Sequence, residues 1–387
     1  MWETKKLGEV CEKTETINPT NKPNDEFTYI DVSSVSKETL KIEETQRLIG
    51  RDAPSRARRG VRENDVIFAT IRPTLQRVAC VPTELDGQIC STGYIVLRPK
   101  PQLHYRYLFY WLTSKAFINR MGELQTGASY PAVTDKQVKE QSISFPSLSE
   151  QQRIVAKLDA AFAEIDRAID ANNDSLANSE KMFEVRRNDI YLGLMSSSPI
   201  RKLGEIADLS RGHNPPKSTF SNEPKPGYVR FYQIRDAKSD KFATYVPQSN
   251  KLHMAGEEDF LMNAYRYIGE VYRGVTGAFN VALCKLSIKD KMETDSEYLF
   301  HMIPSKLIKG ELLKISARSL IPSMSVKELA VLKIPVPPID VQVEIAGNVS
   351  QLLEEITNLT SLYAEKRDGL EKLKSAILAQ ELRSEAA

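Results

Sequence analysis

Residues 145–170 read FPSLSEQQRIVAKLDAAFAEIDRAID, and the apolar pattern begun there runs on to Leu194. Phe145-Pro146-Ser147 is a stop, because proline lacks the N–H that a continuing helix or inner strand needs. Ser149, with Gln152 three residues on, has capping-box spacing and marks a helix start. Apolar side chains then fall at Val155, Leu158, Phe162, Ile165, Ile169, Leu176, Phe183 and Ile190. With Asn172, Ser179 and Arg186 counted as polar occupants of the same stripe, steps of three and four alternate. That is a heptad seam, which needs a partner helix. A helix over 149–192 would be about 66 Å long.

A partner lies in the same chain. After IPVPPID, residues 340–382 carry Val349, Leu352, Ile356, Leu359, Tyr363, Leu370, Leu373 and Ile377 in the same alternation, with Lys366 as the polar exception. That helix would run about 64 Å. Gly347 and Gly369 weaken it by about 1 kcal/mol each relative to Ala. Two unrelated solvated helices would leave the regular seams without a reason, so the pattern predicts that they pair.

The remaining sequence repeats as well. Lys5-Lys6-Leu7-Gly8-Glu9-Val10 opens one part and Arg201-Lys202-Leu203-Gly204-Glu205-Ile206 opens another. Tyr107 onward, set against Tyr298 onward without gaps, gives ten identities in 45 positions. They include Tyr-Leu-Phe, Ser114-Lys115 with Ser305-Lys306, Pro131 with Pro322, Pro146 with Pro337, and Gln151 with Gln342. The chain therefore reads as globular part, long helix, globular part, long helix. The expected boundaries are 1–147, 148–195, 196–339 and 340–387.

Strand-like runs occur at Thr28–Val32, Asp65–Thr70, Val78–Val81 and Gly93–Leu97, with a helical pattern at Tyr105–Met121. The second part has Tyr228–Ile234, Tyr267–Tyr272 and Ala278–Leu286, then a helix at Glu297–Lys309. Strands and helices do not alternate strictly, so each part is a mixed α+β module. The middles of the two parts differ far more than their ends, as expected if one scaffold recognises two different things. Antiparallel pairing of the long helices would make a pseudo-two-fold object with a module at each end of a rod. That geometry fits a bipartite site on a duplex, whose half-sites face the same way about 34 Å apart.

With 387 residues, 41% hydrophobic and 27% charged, the chain is globular and too long for one ordinary core. No run of 18 apolar residues is present, so no membrane span is expected. MWETKKLGEV lacks the apolar centre of a signal peptide, and Cys11, Cys80, Cys90 and Cys284 have no metal or redox spacing. A cytoplasmic protein is expected. The net charge of +2 hides a division: residues 1–147 carry +3 and 196–339 carry +6, whereas 148–195 carry −3 and 340–387 carry −4. Basic modules suit a polyanion such as nucleic acid, and acidic helices should face protein or solvent.

The opening KLGEV or KLGEI, a variable middle, Tyr-Leu-Phe, Gly127-Ala128-Ser129-Tyr130-Pro131, Phe145–Gln152 and a long helix, all repeated, resemble the specificity subunit of type I restriction–modification enzymes. The resemblance spans essentially the whole chain. The second copy departs from it at Val341-Gln342 and at Arg318–Pro322. The resemblance implies two target-recognition domains, each reading half of an asymmetric split sequence in double-stranded DNA. It implies an antiparallel coiled coil that fixes the gap and docks two methyltransferase subunits. Those partners would bind S-adenosylmethionine and methylate adenine, and restriction subunits would use ATP and Mg to translocate and cleave DNA. No cofactor is expected on this chain, which would be non-catalytic. A coiled-coil adaptor, or an S-like subunit of a methylation-only system, is the alternative.

The densest basic run is RDAPSRARRGVR, with Arg56, Arg58, Arg59 and Arg62; Pro and Gly mark it as a loop, and Arg72 and Arg77 follow. Arginine can grip phosphate or pair with guanine, though charge runs are usually just solvated. The second module offers Arg211 and Lys217 in a Gly/Pro-rich loop, Arg230 and Arg235 around Phe231-Tyr232, and Arg266 and Arg273 around Tyr265–Tyr272. Arg211, Lys217 and Arg273 are favoured, and alternation makes Phe231 and Tyr232 structural. Ser129 and Tyr130 are candidate phosphate contacts, against the plainer reading of a turn set by Pro131. Asn214-Pro215-Pro216-Lys217 resembles an amino-methyltransferase motif but lacks the aromatic residue that stacks on a flipped base. No GxxxxGK[ST] is present, and the four histidines have no metal or triad spacing.

Overall fold

Strand Ser142–Phe145 runs into Pro146, and the first long helix follows at Leu148–Ser197. The second occupies Ile339–Leu382. The structure, a computed structural model, describes residues 2–236, 239–266, 268–316 and 323–382. The Arg318–Pro322 loop and the first residue of the strand expected at Tyr267 lie outside the described residues. The chain forms two compact units, Met1–Asn172 with Ala364–Ala387, and Asn173–Tyr363.

The first helix starts earlier than the Ser149 cap predicted, so Ser149 lies inside the first turn. Gln151, not Gln152, organises that turn. Fully buried, its amide donates to the carbonyls of Gln102 and Pro146, both at 2.9 Å, and its oxygen accepts from the His104 N–H at 2.8 Å. A side chain with both donor and acceptor satisfies backbone groups that a serine hydroxyl could not reach.

In the first unit the long helices pack antiparallel. Lys157 pairs with Glu381 at 2.5 Å and Asp166 with Lys374 at 2.8 Å, so the partner steps backward as the helix steps forward. Ile154, Val155 and Leu158 share a core with Leu378 and Leu382. Leu158, Ile165, Asn172, Phe183 and Val349 are buried. Phe162, Ile169, Leu176, Leu352, Ile356, Leu359, Tyr363, Leu370 and Ile377 are half-buried, as a seam covered by a single partner helix would be.

Two seam assignments shift. Leu373 is 49% exposed, and Lys374 turns inward instead, its ammonium 5.1 Å from the Phe162 ring centroid. A lysine stem can cover apolar surface while its charge reaches a carboxylate, here Asp166. On the first helix Arg186 is exposed, and Arg187 takes the inward place beside Phe183. An undistorted helix drifts about 20° per heptad, so a step of four replaces a step of three.

Beside a two-stranded sheet (Glu3–Lys6 with Ser142–Phe145, and Ile200–Lys202 with Lys333–Pro335), each unit carries two larger sheets that correspond between the copies. In the first, strand Val66–Ala69 lies between Val78–Cys80 and Tyr94–Leu97. In the second, Phe260–Asn263 lies between Val271–Tyr272 and Leu283–Ile288, with Ala207–Arg211 added outside. The other sheet has strand order Gln46–Ile49, Glu26–Ile30, Ile89–Ser91, Ala57–Gly60, with the central pair parallel. Its counterpart runs Tyr245–Pro247, Tyr228–Tyr232, Gly277–Phe279, Met254–Ala255, and its central pair is also parallel. The middles therefore differ in sequence but share a topology.

Several runs are shorter or divided. The helix expected at Tyr105–Met121 is two, Tyr105–Thr113 and Lys115–Leu124, because Ser114 is extended and its hydroxyl caps the Phe117 N–H. Ser305 does the same for Ile308 between Ser296–Met302 and Lys306–Ser316. The run Ala278–Leu286 divides at the turn before Leu283.

Candidate nucleic-acid interface

The basic run 51–62 is not one loop. Arg58 and Arg59 lie on strand Ala57–Gly60, whose pairing register shifts between Ala57 and Arg59, as at a β-bulge. Arg59 pairs with Asp135 at 2.5 Å, and Arg58 donates to the carbonyls of Ala57 and Pro54. Arg62 is held by Glu15. Glu15 is in turn gripped by Arg98, whose guanidinium makes a bidentate pair with buried Asp65, both bonds 2.8 Å. The Glu15 backbone N–H, then Arg98 and Arg62, hold the Glu15 carboxyl below the usual range. Arg77 donates to the carbonyls of Ser33 and Val35. These five arginines are fastened to the module.

Arg56 and Arg72 are different. Both are exposed, and neither guanidinium makes an ion pair or hydrogen bond among the described residues. Backbone bonds gather them at one edge. The Thr92 N–H donates to the Arg56 carbonyl, Thr70 to Gly93, and Arg72 to Pro131, at 2.8, 2.8 and 2.7 Å. The Arg72 guanidinium lies 5.7 Å from the ring centroid of Tyr130, which is 73% exposed, and Ser129 beside it is exposed too.

In the second unit half of the six expected cations are occupied. Arg211 donates to the carbonyls of Val281 and Met324. Arg230 stacks over Tyr232 at 4.5 Å and pairs with Asp240. Arg273 is bidentate on Glu297 and lies 3.7 Å from the Phe300 ring centroid; it holds the Glu297 carboxyl below its usual range. Arg211 and Arg273, favoured from sequence, are thus fastened to the protein, because each faces a carbonyl or carboxylate brought from more than twenty residues away. Arg235 is exposed and reaches Thr244 only at 3.5 Å. Lys217 is exposed with no side-chain partner among the described residues, and Arg266 lies over Tyr265 at 5.7 Å. Phe231 is buried on its strand, as alternation predicts.

Sequence reasoning passed over Arg47 and Arg51, both exposed and without side-chain partners among the described residues. Nothing in their local pattern separates them from other surface arginines. Asn214 accepts the Val281 N–H, which fits a loop rather than a base-stacking motif. Among the described residues no three metal-ligating side chains cluster. No described helix is long and apolar enough to cross a membrane.

The sequence model of the type I restriction–modification DNA specificity domain matches twice, at residues 1–172 and 195–365. The chain belongs to that family. It is a type I specificity subunit, a non-catalytic chain whose task is DNA target recognition. Its fold is similar to a chain from a structure described as the basis of complex assembly and conformational transition of the type I system. That match has a TM-score of 0.84 at 29% identity and covers 98% of this chain and 97% of the other. The HsdS subunit from Thermoanaerobacter tengcongensis matches with a TM-score of 0.60 at 30% identity, over 99% and 96% of the two chains. The EcoDI specificity subunit of Escherichia coli is 24% identical over 319 residues, 71% of this chain and 69% of its own length. The two family matches coincide with the two copies of the internal repeat.

Proposed function

We propose that residues 1–147 and 196–339 are two target-recognition domains, each reading one half of an asymmetric, split sequence in double-stranded DNA. The segments 148–195 and 340–387 act as the spacer. The observation that carries this reading is the pair of modules with corresponding strand order, one edge strand apart, and differing side chains at their loops. A common frame with distinct lips suits two dissimilar half-sites on one polymer. The proposed contacts are Arg56, Arg72, Ser129 and Tyr130 in the first domain, and Lys217, Arg235 and Arg266 in the second.

The acidic long helices serve protein partners in this reading: two methyltransferase subunits that carry S-adenosylmethionine, then restriction subunits that carry ATP and Mg. Exposed Met182, Val185, Leu192 and Leu362 on those helices support a protein-facing role. The complex would work in the cytoplasm. Exchanging residues 1–147 for those of another specificity subunit tests the division of labour. Sequencing the methylated sites should show one half-site changed and the other kept. Change in both halves, or in neither, would refute it.

A further inference from the structure

Two residues occupy one position of the repeated frame and carry the same unusual backbone. Thr70 donates its N–H to the Gly93 carbonyl at 2.8 Å, and Ala264 donates to the Ala282 carbonyl at 2.9 Å. The Thr70 carbonyl accepts from Val133 and the Ala264 carbonyl from Met324, at 2.9 and 3.0 Å. One residue on, Ile71 bridges Ala132 and Tyr265 bridges Ser323. The next residue is arginine in both copies, Arg72 and Arg266, with φ of 49° and 62°.

Left-handed backbone is disfavoured for every side chain but glycine, and asparagine or aspartate tolerate it best. Of the segments TIRPT and AYRYI, only the arginine is shared. Both side chains are exposed, both lie 5.7 Å from a tyrosine ring centroid, and neither makes an ion pair or hydrogen bond among the described residues. Stacking orients a guanidinium while leaving its in-plane N–H groups unused. A backbone strained the same way twice, to present the same unused donor fork, has no packing purpose that glycine would not serve better.

We infer that Arg72 and Arg266 are a matched pair of clamps on the DNA phosphate backbone, one for each half-site. The inference rests on the DNA-recognition reading above. The domains differ where half-sites differ, so the cation they share meets what every half-site shares, the phosphodiester. Base reading falls to the side chains that are not shared.

The test uses the chain assembled with its methyltransferase partners, on a duplex containing its methylated site and on duplexes with either half scrambled. Arg72→Gln and Arg266→Gln should each weaken binding about three- to tenfold on every duplex. Each should also lower the slope of log affinity against log salt by about 0.9, and together by about twice that. The methylated sequence should stay the same. Arg72→Gly and Arg266→Gly should lose the same affinity while the melting temperature holds or rises, because glycine relieves the backbone. A changed base preference in the matching half-site would make the residue a base reader. An unchanged slope and affinity would make it structural, and either result overturns the inference. If the wild-type complex ignores scrambling of either half, the recognition reading fails, while the slope on any duplex still decides the arginines.

Discussion

Gln151 and Gln342 make the same three hydrogen bonds in the two copies of the repeat. Gln342, fully buried, donates to the carbonyls of Glu293 and Pro337 at 2.8 and 2.7 Å and accepts from the Asp295 N–H at 2.9 Å. Gln151 does the same with Gln102, Pro146 and His104. Each glutamine ties its helix's first turn both to the proline stop and to the loop entering the helix Tyr105–Thr113 or its counterpart Ser296–Met302. Tyr107 and Tyr298 reinforce that joint by donating to the carbonyls of Ser144 and Pro335, both at 2.8 Å.

Replacing Gln342 with Leu would leave one buried N–H and two carbonyls without partners. A buried unmade hydrogen bond costs about 1–3 kcal/mol, and partial relaxation should bring the total to about 3 kcal/mol. Urea melts of Gln342→Leu should show that loss, and Gln151→Leu a similar one. A loss under about 0.5 kcal/mol, the range of an ordinary surface change, would mean that the glutamines do not hold the joint.

Legibility divides along physical lines. Heptads, proline stops and the repeat were plain because each is a local pattern repeated many times. The glutamine joint was visible only as one identity among ten, since two of the three partners of each glutamine lie 47 and 49 residues upstream. Arg98 drew no notice, yet with Asp65 it forms the buried pair, and it shares Glu15 with the exposed Arg62. Whether an arginine is unoccupied depends on carboxylates such as Asp135 and Glu297, brought in by folding from 76 and 24 residues away. The shared sheet order could not be read from middles whose residues differ so widely.

The Arg98–Asp65 pair should be far more sensitive than its exposed neighbour. Asp65 is 1% exposed at its side chain and Arg98 10%, while Arg62 and Glu15 are 59% and 43% exposed. Arg98→Met strands a buried carboxylate and should cost about 3–5 kcal/mol. Arg62→Met should cost under about 1 kcal/mol. Equal losses in thermal or urea melts would contradict this ranking.

His301 gives the second unit an acid-sensitive joint. Burial lowers its pKa; Glu297 opposes that shift, and Arg273 and Arg187 reinforce it. Its Nε2 lies 2.9 Å from the Ser350 hydroxyl on the second long helix. The unfolded chain then binds the proton more tightly than the folded one, so stability is present above about pH 6.5 and is lost as pH falls below it. Melting temperature should drop from pH 7 to pH 5, and His301→Gln should flatten that drop. His104, also lowered by burial, adds a parallel contribution in the first unit. An unaltered pH profile in the His301 variant would remove the histidine from the account.

Asn172 is only 4% exposed on the helix seam. A polar seam residue sets register at a cost in stability. Asn172→Leu should therefore raise the melting temperature while loosening the register, which would appear as faster amide exchange along the long helices. A lower melting temperature would contradict it.

If the long helices set the gap between half-sites, lengthening them should lengthen the gap. Seven residues added at matched levels of both helices keep the heptad phase and extend each by about 10.5 Å, close to three base pairs at 3.4 Å each. Four residues add about 6 Å, one or two base pairs, but turn the seam by about 40° because 3.6 residues make a turn. The seven-residue variant should thus retain stability and methylate sites with unchanged half-sites and a longer spacer. The four-residue variant should melt lower and modify fewer sites. Sequencing methylated genomic DNA from cells carrying each variant reads both outcomes. An unchanged spacer in the stable seven-residue variant would show that the helices do not measure the distance.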